Sequence, residues 1–281
     1  MGNSIEARNI KLVVAYDGTA YHGWQRQAPG LPTVQGSIEA VLGRLLGQAV
    51  AVNGAGRTDA GVHACGQVAN VHTADRRIPI ANLLLAANAR LPDDIALVSA
   101  AEVPPAFHAS RSAAGKTYRY RIYLGPGKPV MRARYVYRYP RPLDTARMAD
   151  AAGRLVGRHD FRGLASSGDQ RDNTIRTITR CELAEGADEV HVTVAGDGFL
   201  YKMVRNIVGS LVEIGRGRWP PESIDRLLST GDRALSGPSA PPEGLCLMSV
   251  RYPPEALRMP VAPARARRPP SSRGGIGESE R

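Results

Sequence analysis

The run IKLVVAYDG, Ile10 to Gly18, is short, apolar and rich in valine, and it halts at an Asp-Gly pair, as a buried strand does on entering a turn. A polar loop to Pro32 follows. Thr33 then stands at a helix N-cap position, and Val34, Ile38, Val41, Leu42, Leu45 and Leu46 recur at helical spacing up to Gly47. Ala49 to Val52 reads as a second strand and Gly66 to His72 as a third. Pro79 opens a helix with Ile80, Leu83, Leu84 and Ala87 on one side, and Ile95 to Val98 forms a fourth strand. The order β-α-β-β-α-β is that of a ferredoxin-like unit, an open sheet with helices on one face.

From Lys116 the pattern turns to strict alternation. Tyr118, Tyr120, Ile122 and Leu124 share one face, with Thr117, Arg119 and Arg121 on the other. A helix is expected from about Asp144 to Val156, strands near Thr174–Leu183 and Val190–Ala195, a helix from about Leu200 to Ile214, and a closing strand from Leu245 to Arg251. In the last helix Met203, Ile207, Leu211 and Ile214 line a core stripe, which leaves Lys202 and Arg205 for solvent or ligand. The expected class is α+β with two domains, residues 1–108 and 109–254, divided near residues 104–112. The two halves share no sequence repeat. From residue 255 to 281 the chain is rich in Pro, Arg, Ser and Gly. Such a tail buries too little apolar surface to offset its ordering entropy, so it is expected to be disordered.

At 281 residues the chain can bury a sizeable core. Its net charge is +11, of which the tail from Glu255 supplies three, so the body itself is basic and suits an anionic partner such as a nucleic acid. Cys65, Cys181 and Cys246 are odd in number and contain no C-x-x-C pair, which speaks against a disulfide framework or a zinc knuckle. No apolar stretch approaches the ~18 residues needed to span a bilayer, and Met1 to Lys11 lacks a signal-peptide core. A cytoplasmic protein with no membrane partner is expected.

The most unusual stretch is GAGRTDAGVHACGQ, Gly54 to Gln67, where four glycines surround one acid, Asp59, with Arg57 two residues before it. Glycines at this density allow close backbone approach or positive φ. The dinucleotide fingerprint fails because Asp59 holds its third glycine position, and the Gly-Lys-Ser/Thr of a phosphate loop is absent. What remains is a tight loop presenting a carboxylate beside a cation. Taken alone, Asp59 could be a nucleophile, a general base, or a turn-capping partner of Arg57.

The string from Gly56 to Ala64, GRTDAGVHA, resembles the signature of the TruA family, tRNA pseudouridine synthase A. So do YDGTAYHGWQRQ from Tyr16, TVQGSIE from Thr33, FHASRSAAGKTYRYRIY from Phe107, GFLYKMVRNIVGSLVEIG from Gly198 and APPEGLCLMSVRY from Ala240, all in the family's order. The chain departs from the family's habit at Ser110-Arg111 and at Leu164, where an aromatic is common.

The resemblance implies two ferredoxin-like, RRM-like domains whose antiparallel sheets meet at a central catalytic cleft, in a homodimer. It implies that Asp59 is the nucleophile that isomerises uridine in the anticodon stem-loop of tRNA, at positions 38, 39 and 40. Tyr118 would stack on the everted base, Arg57 would help to extrude it, Arg205 would pair with Asp59, and Leu245 would form a wall of the uracil pocket. Tyr120 reads as a core residue. Isomerisation involves no redox change or hydrolysis, so no metal and no organic cofactor is expected, and the six scattered histidines offer no convincing ligand set. A catalytically silent RNA-binding protein on the same scaffold, or a hydrolase using Asp59, are the competing readings.

Overall fold

The computed structural model of the chain describes residues 7–75, 77–166, 168 and 172–259. The first half runs β1 (Arg8–Tyr16), α1 (Val34–Leu46), β2 (Val52–Gly54), β3 (His63–Thr73), α2 (Ile80–Asn88) and β4 (Ile95–Val103). The second runs β5 (Gly115–Tyr123), β6 (Tyr137–Arg138), α3 (Thr145–Arg154), β7 (Gly157–Asp160), β8 (Ile175–Glu185), β9 (Glu189–Gly196), α4 (Met203–Gly215), α5 (Ser223–Thr230) and β10 (Leu245–Arg251). The class is α+β, and the first half has the expected β-α-β-β-α-β order.

Local chemistry explains the elements that match expectation. Thr33 caps α1 by accepting from the Gly36 amide, and Gly47 closes it in the left-handed conformation. Between them Val34, Ile38, Val41, Leu42 and Leu46 are buried. In α4 the expected stripe of Met203, Ile207, Leu211 and Ile214 is fully buried. That helix is enclosed on nearly every side, and a Cβ at Gly209 would collide with the Pro238 carbonyl. The second strand lies later than expected, because Val52 to Gly54, not Ala49 to Val52, pairs with β3. Residues 48–51 instead carry the chain away from the α1 cap. The strands β6 and β7 and the short helix α5 were not foreseen.

All ten strands form one sheet in the order β4-β1-β3-β10-β5-β9-β8-β7, with β2 beside β3 and β6 beside β5. Alternate residues of β1 (Ile10, Leu12, Val14), β5 (Tyr118, Tyr120, Ile122) and β9 (Val192, Val194) pack with the helices into one continuous core. A smaller cluster around Val68, Phe107 and Ala109 gathers Val13 and Tyr252 against it. The two antiparallel halves meet through β10, the last strand in the chain, which pairs antiparallel with β5 and parallel with β3. Cys246 is level with His63 on that parallel ladder, and Leu247 with Tyr118 on the antiparallel one. The Gly-rich loop ahead of β3, the start of β10 and the middle of β5 are therefore brought to one place.

Two cysteines far apart in sequence also meet at this seam, the Cys65 and Cys246 sulfurs lying 3.6 Å apart as free thiols. Past β10, Pro254 to Leu257 form a 3-10 turn, and Ala256 and Leu257 pack on the smaller cluster. Order thus continues past residue 255, and the rest of the tail, 260–281, lies outside the described residues. Among the described residues no helix is long and apolar enough to cross a membrane.

Candidate active site

Asp59 sits on the loop between β2 and β3, and that loop is held from several directions. The Gln67 side chain donates to the Gly56 carbonyl (2.8 Å), the Trp24 amide donates to the Thr58 carbonyl (3.1 Å), and the Tyr16 and Thr58 hydroxyls share a buried hydrogen bond of 2.9 Å. Gly23, at φ +91°, passes so close that a Cβ there would press on the Thr58 carbonyl, so no other residue fits without displacing the loop. The Val62 amide donates to the Asp59 carbonyl (3.2 Å) and tightens the turn.

The carboxylate itself is one-fifth exposed, and its Oδ2 accepts from Arg205 Nη1 at 2.8 Å. Arg205, near the start of α4, is only 12% exposed along its side chain, and its Nε donates to the Ala240 carbonyl at 2.7 Å. The guanidinium is thus fixed by the backbone on one edge and orients the carboxylate with the other. Arg57 is exposed and forms no ion pair with Asp59 among the described residues, so the turn-capping Arg57–Asp59 partnership is replaced by one across the fold.

Tyr118 reaches the same place from β5. Its ring is nearly buried and meets the Phe199 ring edge-on, with centroids 5.2 Å apart. Burial, with the negative charge of Asp59 nearby, pushes its phenol well above the ordinary tyrosine value. The hydroxyl therefore stays protonated and can donate but not act as a resting base. Tyr120, two residues on, is a core residue as expected, fully buried with its hydroxyl donating to the Pro241 carbonyl at 2.8 Å.

Arg57, Asp59, Tyr118, Arg205 and Leu245 all line one open cavity, Leu245 being the first residue of β10. Asp59 is the one carboxylate among its lining residues, against three cations, Arg57, Lys202 and Arg205. The sequence reading gave no site role to Val62, Phe199, Leu200, Val204 or Met203, the last read only as core, and all of them also line it. Four of these lie in the quoted stretch from Gly198, which was the available signal. Leu164, one of the departures, is buried, and its carbonyl accepts from Asn206 at 2.7 Å.

A single oriented carboxylate faced by an aromatic ring and rimmed by cations suits an enzyme that handles a flat base in an anionic polymer. The chain belongs to the tRNA pseudouridine synthase family, whose model matches residues 12–110 and 151–253. It is 44% identical to tRNA pseudouridine synthase A of Pelobacter propionicus over 245 residues, 87% of this chain and all of that one. It is 46% identical to the enzyme of that name from Moorella thermoacetica, over 86% of this chain and 99% of that one. With the Rhodospirillum rubrum protein it shares 43% identity over 91% of this chain and 90% of the relative.

Proposed function

We propose that this protein isomerises uridine to pseudouridine in tRNA, with Asp59 as the nucleophile, and that its targets are positions 38, 39 and 40 of the anticodon stem-loop. The observation that carries the reading is the Asp59–Arg205 pair, 2.8 Å long, set in the same cavity as the Tyr118 ring. The target uridine leaves its stack, and its lost stacking is offset by the aromatic wall and by phosphate contacts from the rim. Asp59 attacks either C6 of the ring or C1′ of the sugar. The C1′–N1 bond breaks, the base turns, the C1′–C5 bond forms, the bond to Asp59 is cleaved to return the free carboxylate, N1 gains a proton and C5 gives one up. Atoms and electrons balance within the substrate, so the step calls for no metal and no coenzyme. A phenol held protonated at Tyr118 suits a stacking and donating role beside the base. Leu245 closes the apolar side of the pocket, and Arg57 attends the extruded nucleotide. The reading further assigns the protein to the cytoplasm, and it makes the protein a homodimer, an assembly state that light scattering of the purified chain checks directly.

The test is incubation with an unmodified tRNA transcript in EDTA, with pseudouridine mapped by carbodiimide-primer extension. Wild type is expected to mark positions within 38–40, and Asp59→Asn none. Strong modification by Asp59→Asn, or none by wild type, overturns the reading.

A further inference from the structure

Lys202 is the one residue other than glycine with positive φ among the described residues, at φ 58° and ψ 9°. It occupies the turn that starts α4. A turn that needed only a left-handed backbone would be served better by Gly, which has no Cβ to clash there, or by Asn, whose short side chain offsets the clash with local hydrogen bonds. A strained conformation kept by a long charged side chain points to a use for that side chain.

Its surroundings indicate the use. Lys202 lines the cavity that holds Asp59 and Tyr118. Its Nζ lies 5.1 Å from the centroid of the Tyr201 ring, which is 40% exposed, so the ammonium rests on an aromatic face and not on a carboxylate. Once Arg205 is paired with Asp59, Arg57 and Lys202 remain as lining cations without an ion pair among the described residues. Arg57 stands on the β2–β3 loop and Lys202 on the turn before α4, two different elements framing one cavity. A uracil ring is uncharged and has no need of two spare cations, whereas the RNA backbone entering with it carries a phosphate on each side.

We propose that Lys202 is a binding residue for a backbone phosphate flanking the everted uridine, with its left-handed turn aiming the ammonium at that phosphate and Tyr201 supporting it. The inference rests on the function proposed above but is judged on binding, so that the two can fail separately.

The test uses an anticodon stem-loop RNA and the full chain in the Asp59→Asn background, where no turnover intervenes. Lys202→Met is expected to weaken binding about tenfold. It should also flatten the dependence of log Kd on log salt by about 0.7, the contribution of one phosphate contact to a single strand. Lys202→Arg should retain most of the affinity. Lys202→Gly should bind like Lys202→Met while melting no lower than the parent, because glycine relieves the backbone; this separates lost charge from lost fold. Methylphosphonates placed singly on the two phosphates flanking the target should identify the partner: one should weaken binding to the parent but leave the Lys202→Met variant indifferent. Unchanged affinity and salt slope in Lys202→Met, or equal losses for parent and variant at both phosphates, overturn the proposal. Absence of pseudouridine from the wild-type reaction would instead strike the proposed function and leave this binding result standing.

Discussion

Asp59 and Glu189 are both carboxylates held by arginine within the fold, and they are held in opposite ways. Glu189, at the start of β9, is 5% exposed and saturated: Arg121 donates from Nε and Nη2 (2.8 and 2.9 Å), Arg132 from Nη1 (2.6 Å), and His191 Nε2 lies at 2.9 Å. Asp59 receives one described side-chain donor, on Oδ2, and faces a cavity. An ionised carboxylate has about four acceptor sites. Glu189 has committed all of them to the protein, so it can fasten β5, β9 and the 132 loop but has nothing to offer a substrate. Asp59 is oriented by a single guanidinium and keeps lone pairs in reserve. Chemistry is available where acceptor capacity is left over.

The same isosteric change tests both ends of the contrast. Asp59→Asn is expected to lower pseudouridine formation by about 10⁴-fold or more, as loss of a nucleophile does, while the thermal midpoint moves by only about 3 °C. Single-turnover assays with a melting curve for each protein check both halves. An Asp59→Asn enzyme within tenfold of wild type would erase the distinction. Next in size is Arg205→Met, which removes the one described side-chain donor to Asp59, the proposed nucleophile. Turnover should fall about 10²–10³-fold, the scale of losing a preorganised charged donor at a reacting centre, with tRNA affinity much less affected. A variant that lost affinity and kept turnover would make Arg205 an RNA contact and not a positioning residue.

What could be read from the sequence follows the range of the interactions. α1 and β10 were legible because cap, apolar stripe and bounding glycine or proline lie within a few residues of one another. β2 was misplaced because its extent is set by its ladder to Val71, Asn70 and Ala69, a tertiary fact. α5 buries only Ile224 and Leu227, too few positions to make a period. In the site, Asp59 and Arg205 are 146 residues apart. No local spacing connects them, and only the ordered set of family-like strings placed both in one cleft. Arg57 and Lys202 show the reverse limit. Neighbouring charge suggested an Arg57–Asp59 pair that the turn does not make, and nothing in Leu200-Tyr201-Lys202 announces a left-handed backbone. Glu189 was not foreseen, since its partners Arg121 and Arg132 come from another strand and a loop.

Glu189→Gln supplies the smallest effect and the sharpest contrast, because its signature is a dependence on pH and not on substrate. Burial opposes ionisation of Glu189, but the hydrogen bonds from Arg121 and His191 and the charges of Arg121 and Arg132 outweigh it, drawing the carboxyl from 4.5 down to about 2. The unfolded chain takes up this proton near the ordinary value and the native state only near 2. The stabilisation is therefore complete above about pH 4.5 and drains away as the pH falls towards 2. At neutral pH the glutamine variant should lose about 2 kcal/mol, or about 4–8 °C in a chain of this size, since two arginines are left short of their acceptor. Urea melts at intervals between pH 7 and 2.5 should show the wild-type and variant curves converging on the acid side, while pseudouridine formation near neutrality stays within about threefold. A gap that persisted unchanged to pH 2.5 would mean that Glu189 stabilises by shape and not by charge, and the two carboxylates would then differ in packing more than in the use of their lone pairs.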